Sequence, residues 1–125
     1  MPGTPRRTAG LRCEDARRIA QDVLSAHGVG TRLVDDVLLV VSELVSNAVR
    51  HAGGVTDFRV RCLPDSVAIE VSDASTAAPR PPGTPVEVPG GFGWVLVNRI
   101  ADRTEIRPAH DGKKITAFLS LTAAT

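Results

Sequence analysis

Apolar residues recur at helical spacing through residues 34–51, which read VDDVLLVVSELVSNAVRH. Valine, leucine and alanine fall on nearly every side of a helical wheel, and such a pattern predicts a helix buried inside a domain. Thr31 has a side chain suited to an N-cap for this helix, and Gly53 and Gly54 provide a stop after it. We therefore expect the other elements to pack around this helix.

The remaining hydrophobic pattern predicts two more helices and four strands. Apolar and polar residues alternate in the strands, and glycines or prolines separate most of the elements. The helices are expected at about residues 13–27 and 93–101, and the strands at about 58–62, 67–71, 104–107 and 115–121. This order favours an α+β fold, a two-layer α/β sandwich with helices packed on one face of a mainly antiparallel sheet. It does not suit a doubly wound dinucleotide fold.

Composition narrows the class of protein. A chain of 125 residues suits one domain, which we place at residues 11–125 after a flexible tail at residues 1–10. A formal net charge of +1 and an aromatic content of 3% argue against direct nucleic-acid binding.

No apolar run is long enough for a membrane span, and no secretory signal follows the first arginines, so we expect a cytoplasmic protein. Cys13 and Cys62 are expected as reduced thiols, with a disulfide as the alternative.

Three polar residues interrupt the buried helix along one stripe. Glu43, Asn47 and Arg50 are spaced i, i+4 and i+7, so Asn47 and Arg50 lie within about 40° of the Glu43 direction around the helix. A buried carboxylate beside a buried amide is costly unless something polar faces them. The stripe is therefore a solvated edge of the helix, a carboxylate paired with Arg50, or one wall of a ligand site.

A second unusual carboxylate is expected at the end of the second strand. Counting by two from Val71 gives Asp73, which places its side chain on the core side of the sheet. Such an aspartate either caps the following turn or contacts a ligand.

The segment after this strand predicts a long loop that leads into a helix. Residues 74–88 contain four prolines and a glycine, which forbid regular structure, and we expect a lid over about residues 74–92. The glycines at residues 90–93 precede a helix, and exposed N–H groups at a helix amino terminus favour a phosphate. The alternative is a flexible hinge before a core helix.

Together, the E-x-x-x-N helix, the strand-end aspartate and the sequence GGFG at residues 90–93 resemble a known ATP-binding domain. It is the Bergerat fold shared by gyrase, heat-shock chaperone, histidine kinase and mismatch-repair ATPases. Within that superfamily the stretch ELVSNAVRH looks most like the anti-sigma factor, serine/threonine protein kinase type. The resemblance covers about residues 11–122.

The resemblance implies a role for each matching residue, with ATP and Mg²⁺ as cofactors. It assigns Asn47 to a Mg²⁺ that bridges the ATP phosphates, and Glu43 to the catalytic base. Asp73 would accept a hydrogen bond from the adenine amino group, and Gly91 and Gly93 would hold the phosphates. Arg50 and His51 are candidate phosphate contacts, or else a cationic helix end that faces solvent.

This chain departs from the family pattern at three positions. Ser75 stands where many relatives have glycine, and Trp94 stands where a small aliphatic residue is usual. Lys114 replaces a threonine, which removes a polar contact expected near the adenine and adds a charge there.

Two functions of different class follow. The first is a Mg-ATP-dependent regulatory serine/threonine kinase that phosphorylates an antagonist protein and, as the family does, sequesters a sigma factor. The second is a non-catalytic interaction module of the same fold, in which ATP is a structural or sensing ligand or is not bound. The detached catalytic half of a histidine kinase is a third reading, but it would need a phospho-accepting hairpin from another chain. A homodimer is expected from the family alone.

Overall fold

The computed structural model describes residues 10–76 and 91–121, and for residues 91–93 the backbone alone. In this part of the chain, helices cover one face of an antiparallel sheet with strand order β1-β2-β4-β3. This confirms the predicted α+β two-layer sandwich. The elements are α1 (Cys13–Ala26), α2 (Thr31–His51), β1 (Val55–Cys62), β2 (Ser66–Asp73), α3 (Gly91–Ile100), β3 (Arg103–Ala109) and β4 (Gly112–Ser120).

Helix α2 is the centre of the hydrophobic core. It contacts α1 and α3 on its sides and β1, β2 and β4 beneath it. Its buried residues recur at helical spacing, namely Val37, Val40, Val41, Leu44, Val45 and Ala48. Burying each valine or leucine contributes about 1.5–3 kcal/mol relative to leaving it exposed, so this face fixes α2 on the sheet. No helix within residues 10–76 and 91–121 is long and apolar enough to cross a membrane.

The two faces of the sheet differ in chemistry. The outer face is polar, and the carboxylate of Glu70 lies there between Arg61, at 2.8 Å, and Lys114, at 3.5 Å. The helix-facing side is apolar along β2 and β4, where Val67, Ile69 and Val71 lie opposite Leu119, Ala117 and Ile115. Side chains alternate between the two faces along a strand. In β2 and β4 the odd-numbered residues therefore face the helices and the even-numbered residues face outwards; we call this the parity of a residue.

Glycines end the helices as expected, but the start of α2 differs from the prediction. Gly28 and Gly53 have positive φ angles of 68° and 78°, which a glycine adopts without steric cost. The prediction that Thr31 caps α2 is wrong. Gly30 is the N-cap residue, in an extended conformation, and Thr31 is already helical, so its side chain makes no capping hydrogen bond.

The strands are longer than the sequence pattern indicates. β1 begins at Val55 and β4 at Gly112, each three residues before the first residue of the predicted strand. The backbone ladder continues beyond the apolar positions because β1 and β4 both pair with the end of β2, where Asp73 lies opposite Val55 and Lys113. Helix α3 likewise begins at Gly91 instead of Gly93.

Gly112 is required by a close backbone approach. A Cβ atom at this position would overlap the carbonyl oxygen of Asp73 and lie 3.0 Å from the Cα of Ala74. Backbone atoms cannot move aside as a flexible side chain can, so we expect Gly112→Ser to lower the free energy of unfolding by about 1–3 kcal/mol. Urea denaturation of the parent and the variant would measure this loss.

The matched control for this prediction is Gly30→Ser. A Cβ at Gly30 meets no atom within 4 Å, and serine is favoured at an N-cap. Its free energy of unfolding should therefore equal or exceed that of the parent. Equal losses for both variants would contradict the proposed clash at Gly112.

Candidate functional site

The last turns of α2 and the end of β2 lie at the same end of the molecule. The carbonyl oxygen of Ala48 accepts a hydrogen bond from the N–H of Gly54 at 2.9 Å, so the chain turns directly from α2 into β1. Val55, the first residue of β1, is paired with Asp73. Asn47, which precedes Ala48, is therefore carried by the part of α2 that lies towards Asp73.

Helix α3 leads directly into β3. After α3, the N–H of Asp102 donates to the carbonyl of Phe118 at 2.8 Å, and β3 then runs from there towards the start of β4. Helix α3 packs on α2 and its 10 residues span about 15 Å. Its first turn begins at Gly91. Gly91 and Gly93 both belong to this first turn, where free N–H groups favour an anion.

Glu43 and Asn47 are half-buried one turn apart on α2. Neither side chain makes a hydrogen bond or an ion pair with any residue in the described ranges, 10–76 and 91–121. Glu43 is therefore not paired with Arg50 there, which removes one of the two structural alternatives. Arg50 and His51 are exposed in the last turn of α2, where a cation faces the negative end of the helix dipole. Their contact with phosphate stays a prediction.

The carboxylate of Asp73 is buried on the helix-facing side, as predicted, and only 3% of its side chain is exposed. Its Oδ1 accepts the N–H of Ser75 at 2.9 Å and also the ammonium of Lys113 at 3.0 Å. The carboxylate thus caps the following turn, which was the structural alternative for this residue, and it forms a buried ion pair in addition. Ser75 accommodates this turn in place of the family glycine.

Lys113, which forms the buried ion pair with Asp73, is the residue of the candidate site that the sequence prediction missed. Lys114, expected to bring a charge near the adenine, lies opposite Ser72 and bridges to Glu70 on the outer face; its place relative to the adenine stays a prediction. Lys113 is one residue earlier and points towards the helices. Counting back by two from the buried Ile115 identifies it, because residues of the same parity share a face.

Two further predictions concern the region after β2. Trp94 is partly buried and packs against the hydrophobic core, and its carbonyl oxygen accepts the side-chain amide of Asn98 at 2.9 Å. Most of the lid predicted at residues 74–92, namely residues 77–90, lies outside the described residues.

A cleft of about 340 Å³ opens at this end of the sheet. Asp73, Lys113 and Asp111 are among the residues that line it, whereas Glu43 and Asn47 are not. The buried ion pair therefore borders open space at the strand ends, apart from the stripe on α2.

The residues present fit a magnesium-bound triphosphate near α2. In the described ranges, no group of three or more histidine, cysteine, aspartate or glutamate side chains is arranged to hold a metal ion. Mg²⁺ prefers oxygen ligands and keeps several waters, so the Asn47 amide oxygen would serve as a single protein ligand beside phosphate oxygens. Asn47 has no described side-chain partner that this ligation would break.

The two cysteines are free thiols in the structure. The Cys13 Sγ lies 3.2 Å from the Ser46 Oγ and so links α1 to α2. Burial raises the pKa of the Cys62 thiol above its ordinary value, because desolvation disfavours the thiolate. Cys62 nevertheless lines an open cleft of about 520 Å³ together with His27 and Leu63, which gives small reagents access to it.

We expect the alkylation of Cys62 in a Cys13→Ser variant to rise with pH later than that of a small-molecule thiol. A raised pKa leaves less thiolate at a given pH, and the thiolate is the reacting species. Rates with iodoacetamide between pH 7 and 10 would measure the midpoint. In urea the midpoint should fall to that of the small thiol; the same midpoint in folded and unfolded protein would contradict the effect of burial.

Comparison with known proteins agrees with this fold. The sequence model of the family described as the histidine kinase-like ATPase domain matches residues 7–119. A search of the curated proteins found no match. The matched span includes all three helices and nearly all of the sheet, together with every candidate site residue, and the family implies binding of ATP. The chain therefore belongs to the histidine kinase-like ATPase domain family.

Proposed function

We propose that this chain is an ATP-dependent regulatory protein kinase of the anti-sigma-factor type, which phosphorylates a serine or threonine of an antagonist protein. The observation that carries the proposal is Glu43, a half-buried carboxylate without a described partner, one turn from Asn47 on α2. A structural carboxylate in such a place is normally paired, since leaving it unpaired is costly. A carboxylate that must accept a proton has to be free of a cation.

Phosphoryl transfer needs mainly positioning and charge neutralisation, with a carboxylate that orients the nucleophile. Glu43 would accept the proton of the substrate hydroxyl as the hydroxyl oxygen attacks the terminal phosphorus of ATP. The bond between that phosphorus and the bridging oxygen would break, and ADP would leave. Mg²⁺, when bound, would neutralise phosphate charge. Asn47 would hold the metal, and the first turn of α3 would bind phosphate oxygens. Asp73 would accept a hydrogen bond from the adenine amino group.

The buried pair of Asp73 and Lys113 favours a second candidate function. The carboxylate that should bind adenine already holds an ammonium group at 3.0 Å. A non-catalytic interaction module of the same fold, with weak nucleotide binding or none, would account for that pair. Partner identity, with a sigma factor and its antagonist as the family candidates, belongs to the proposal, as does a homodimer.

Labelled transfer separates the two functions. The purified chain is incubated with Mg²⁺, ATP labelled at the γ-phosphate and purified candidate antagonist proteins, and serine or threonine phosphate is identified after hydrolysis. The kinase proposal expects label on an antagonist. Calorimetric ATP binding without label on any antagonist would favour the interaction module, and absence of nucleotide binding would overturn the kinase.

Asn47→Ala should abolish the increase in ATP affinity that Mg²⁺ gives. Removing the only amide oxygen assigned to the metal leaves phosphate and water ligands. Loss of an outer-shell partner typically costs about 10–100-fold in metal affinity, and loss of a direct ligand should cost at least as much. Calorimetric titration with ATP, with and without Mg²⁺, measures the difference. The control is Asn98→Ala on α3, an exposed amide. An unchanged effect of Mg²⁺ in Asn47→Ala would show that the metal assignment is wrong.

A further inference from the structure

Lys113 occupies the carboxylate of Asp73, which is the group expected to accept a hydrogen bond from the nucleotide base. Only 7% of the Lys113 side chain and 3% of the Asp73 side chain are exposed. The ammonium lies 3.0 Å from Oδ1 of Asp73 and 3.4 Å from the carbonyl oxygen of Ser75. Very little of the carboxylate is therefore accessible to a donor that arrives from outside.

The position of Lys113 is fixed by the sheet. Asp73 and Lys113 are directly opposite each other in the β2–β4 ladder, and directly opposite side chains lie close enough to interact. Gly112 permits the close approach of β4 to the Asp73 backbone. The ammonium is thus held at the carboxylate by the strand register.

An adenine amino group and an ammonium group are both hydrogen-bond donors, so they compete for the same carboxylate. Both hydrogen bonds to the ionised carboxylate are charge-assisted, but the ammonium adds the attraction between two full charges, which a neutral amino group lacks. A neutral amino group at Asp73 would therefore have to replace or displace a stronger donor that is always present.

We propose that Lys113 is an internal competitor of the nucleotide base, which keeps Asp73 closed and lowers the affinity of the chain for adenine nucleotides. This inference rests on the proposed function, in which Asp73 receives the adenine amino group. Lys113 is a specificity-determining residue here: it reduces what the base contributes to binding and leaves the phosphate contacts of α2 and α3 unchanged.

The first test replaces Lys113 with threonine. When the competent state is only a fraction of the population, the apparent affinity falls by that fraction, so a pair that is open in about a tenth of molecules lowers affinity about tenfold. Lys113→Thr should bind ADP at least about tenfold more tightly than the parent, by calorimetry in Mg²⁺. Arg61→Thr is the control, since Arg61 pairs with Glu70 on the outer face of the sheet and does not line the cleft at Asp73; its ADP affinity should equal that of the parent.

The second test begins with the parent chain, so its first measurement does not depend on the folding of a variant. If the Lys113 ammonium occupies the Asp73 carboxylate, the adenine base contributes little to binding. ADP should then bind the parent no more than a few-fold more tightly than inorganic pyrophosphate does. In Lys113→Thr the preference for ADP over pyrophosphate should widen to at least about tenfold.

Each result decides one proposal. A strong preference of the parent for ADP over pyrophosphate, or equal or weaker ADP binding by Lys113→Thr, would overturn the competitor role and leave the proposed function standing. If neither the parent nor Lys113→Thr binds ADP or pyrophosphate, the proposed function fails, and the competitor role fails with it.

Discussion

Glu43→Gln is expected to lower the rate of phosphoryl transfer by about 10²–10⁴-fold, the usual contribution of general acid–base catalysis. The amide has nearly the shape of the carboxylate but cannot accept the proton of the substrate hydroxyl. Glu43 has no described ion pair that the substitution would break, so the fold should be retained. Single-turnover labelling of an antagonist protein measures the rate, and calorimetry should show ATP affinity close to that of the parent.

Asp36→Asn is the matched control because it makes the same change of charge on the same helix. Asp36 is exposed near the start of α2, far along the helix from Asn47. Its transfer rate should equal that of the parent. If Glu43→Gln transfers phosphate as fast as Asp36→Asn, Glu43 is not the base; if it loses ATP binding as well as transfer, the residue acts in binding.

The layered fold could be predicted because local pattern and burial agree along most of the chain. The apolar residues of α2 are buried on the face that packs on the sheet, and Val71 and Ile115 alternate with polar neighbours as a one-sided sheet requires. Strand ends were less predictable. They depend on backbone pairing with the end of β2, which extends β1 and β4 three residues before their predicted starts.

The candidate site was predictable only in part, since its chemistry depends on contacts between distant strands. The sequence places Asp73 on the helix-facing side, and the structure agrees. Its partner could not be found from local pattern, because the pairing of Asp73 with Lys113 follows from the β2–β4 register across 40 positions of sequence. Parity along β4 identifies the face of Lys113, but only the register shows which residue lies opposite it.

Asp73→Ala is expected to lower the free energy of unfolding by about 3–5 kcal/mol, because it leaves the Lys113 ammonium buried without a counterion. The Lys113 side chain is only 7% exposed, so it cannot reach water without local rearrangement. The N–H of Ser75 also loses its acceptor. Urea denaturation of the parent and the variant would measure the loss.

A double-mutant cycle distinguishes a broken pair from a general defect at this end of the sheet. When Lys113→Met is added to Asp73→Ala, the buried charge is removed, and replacement of a buried ion pair by apolar groups is often neutral or stabilising. The double variant should therefore be more stable than Asp73→Ala alone. The exposed pair of Arg12 and Glu14, with side chains 71% and 62% exposed, is the control, and Glu14→Ala should cost at most about 1 kcal/mol. If the double variant is no more stable than Asp73→Ala, the unpaired charge of Lys113 is not the cause of the stability that Asp73→Ala loses.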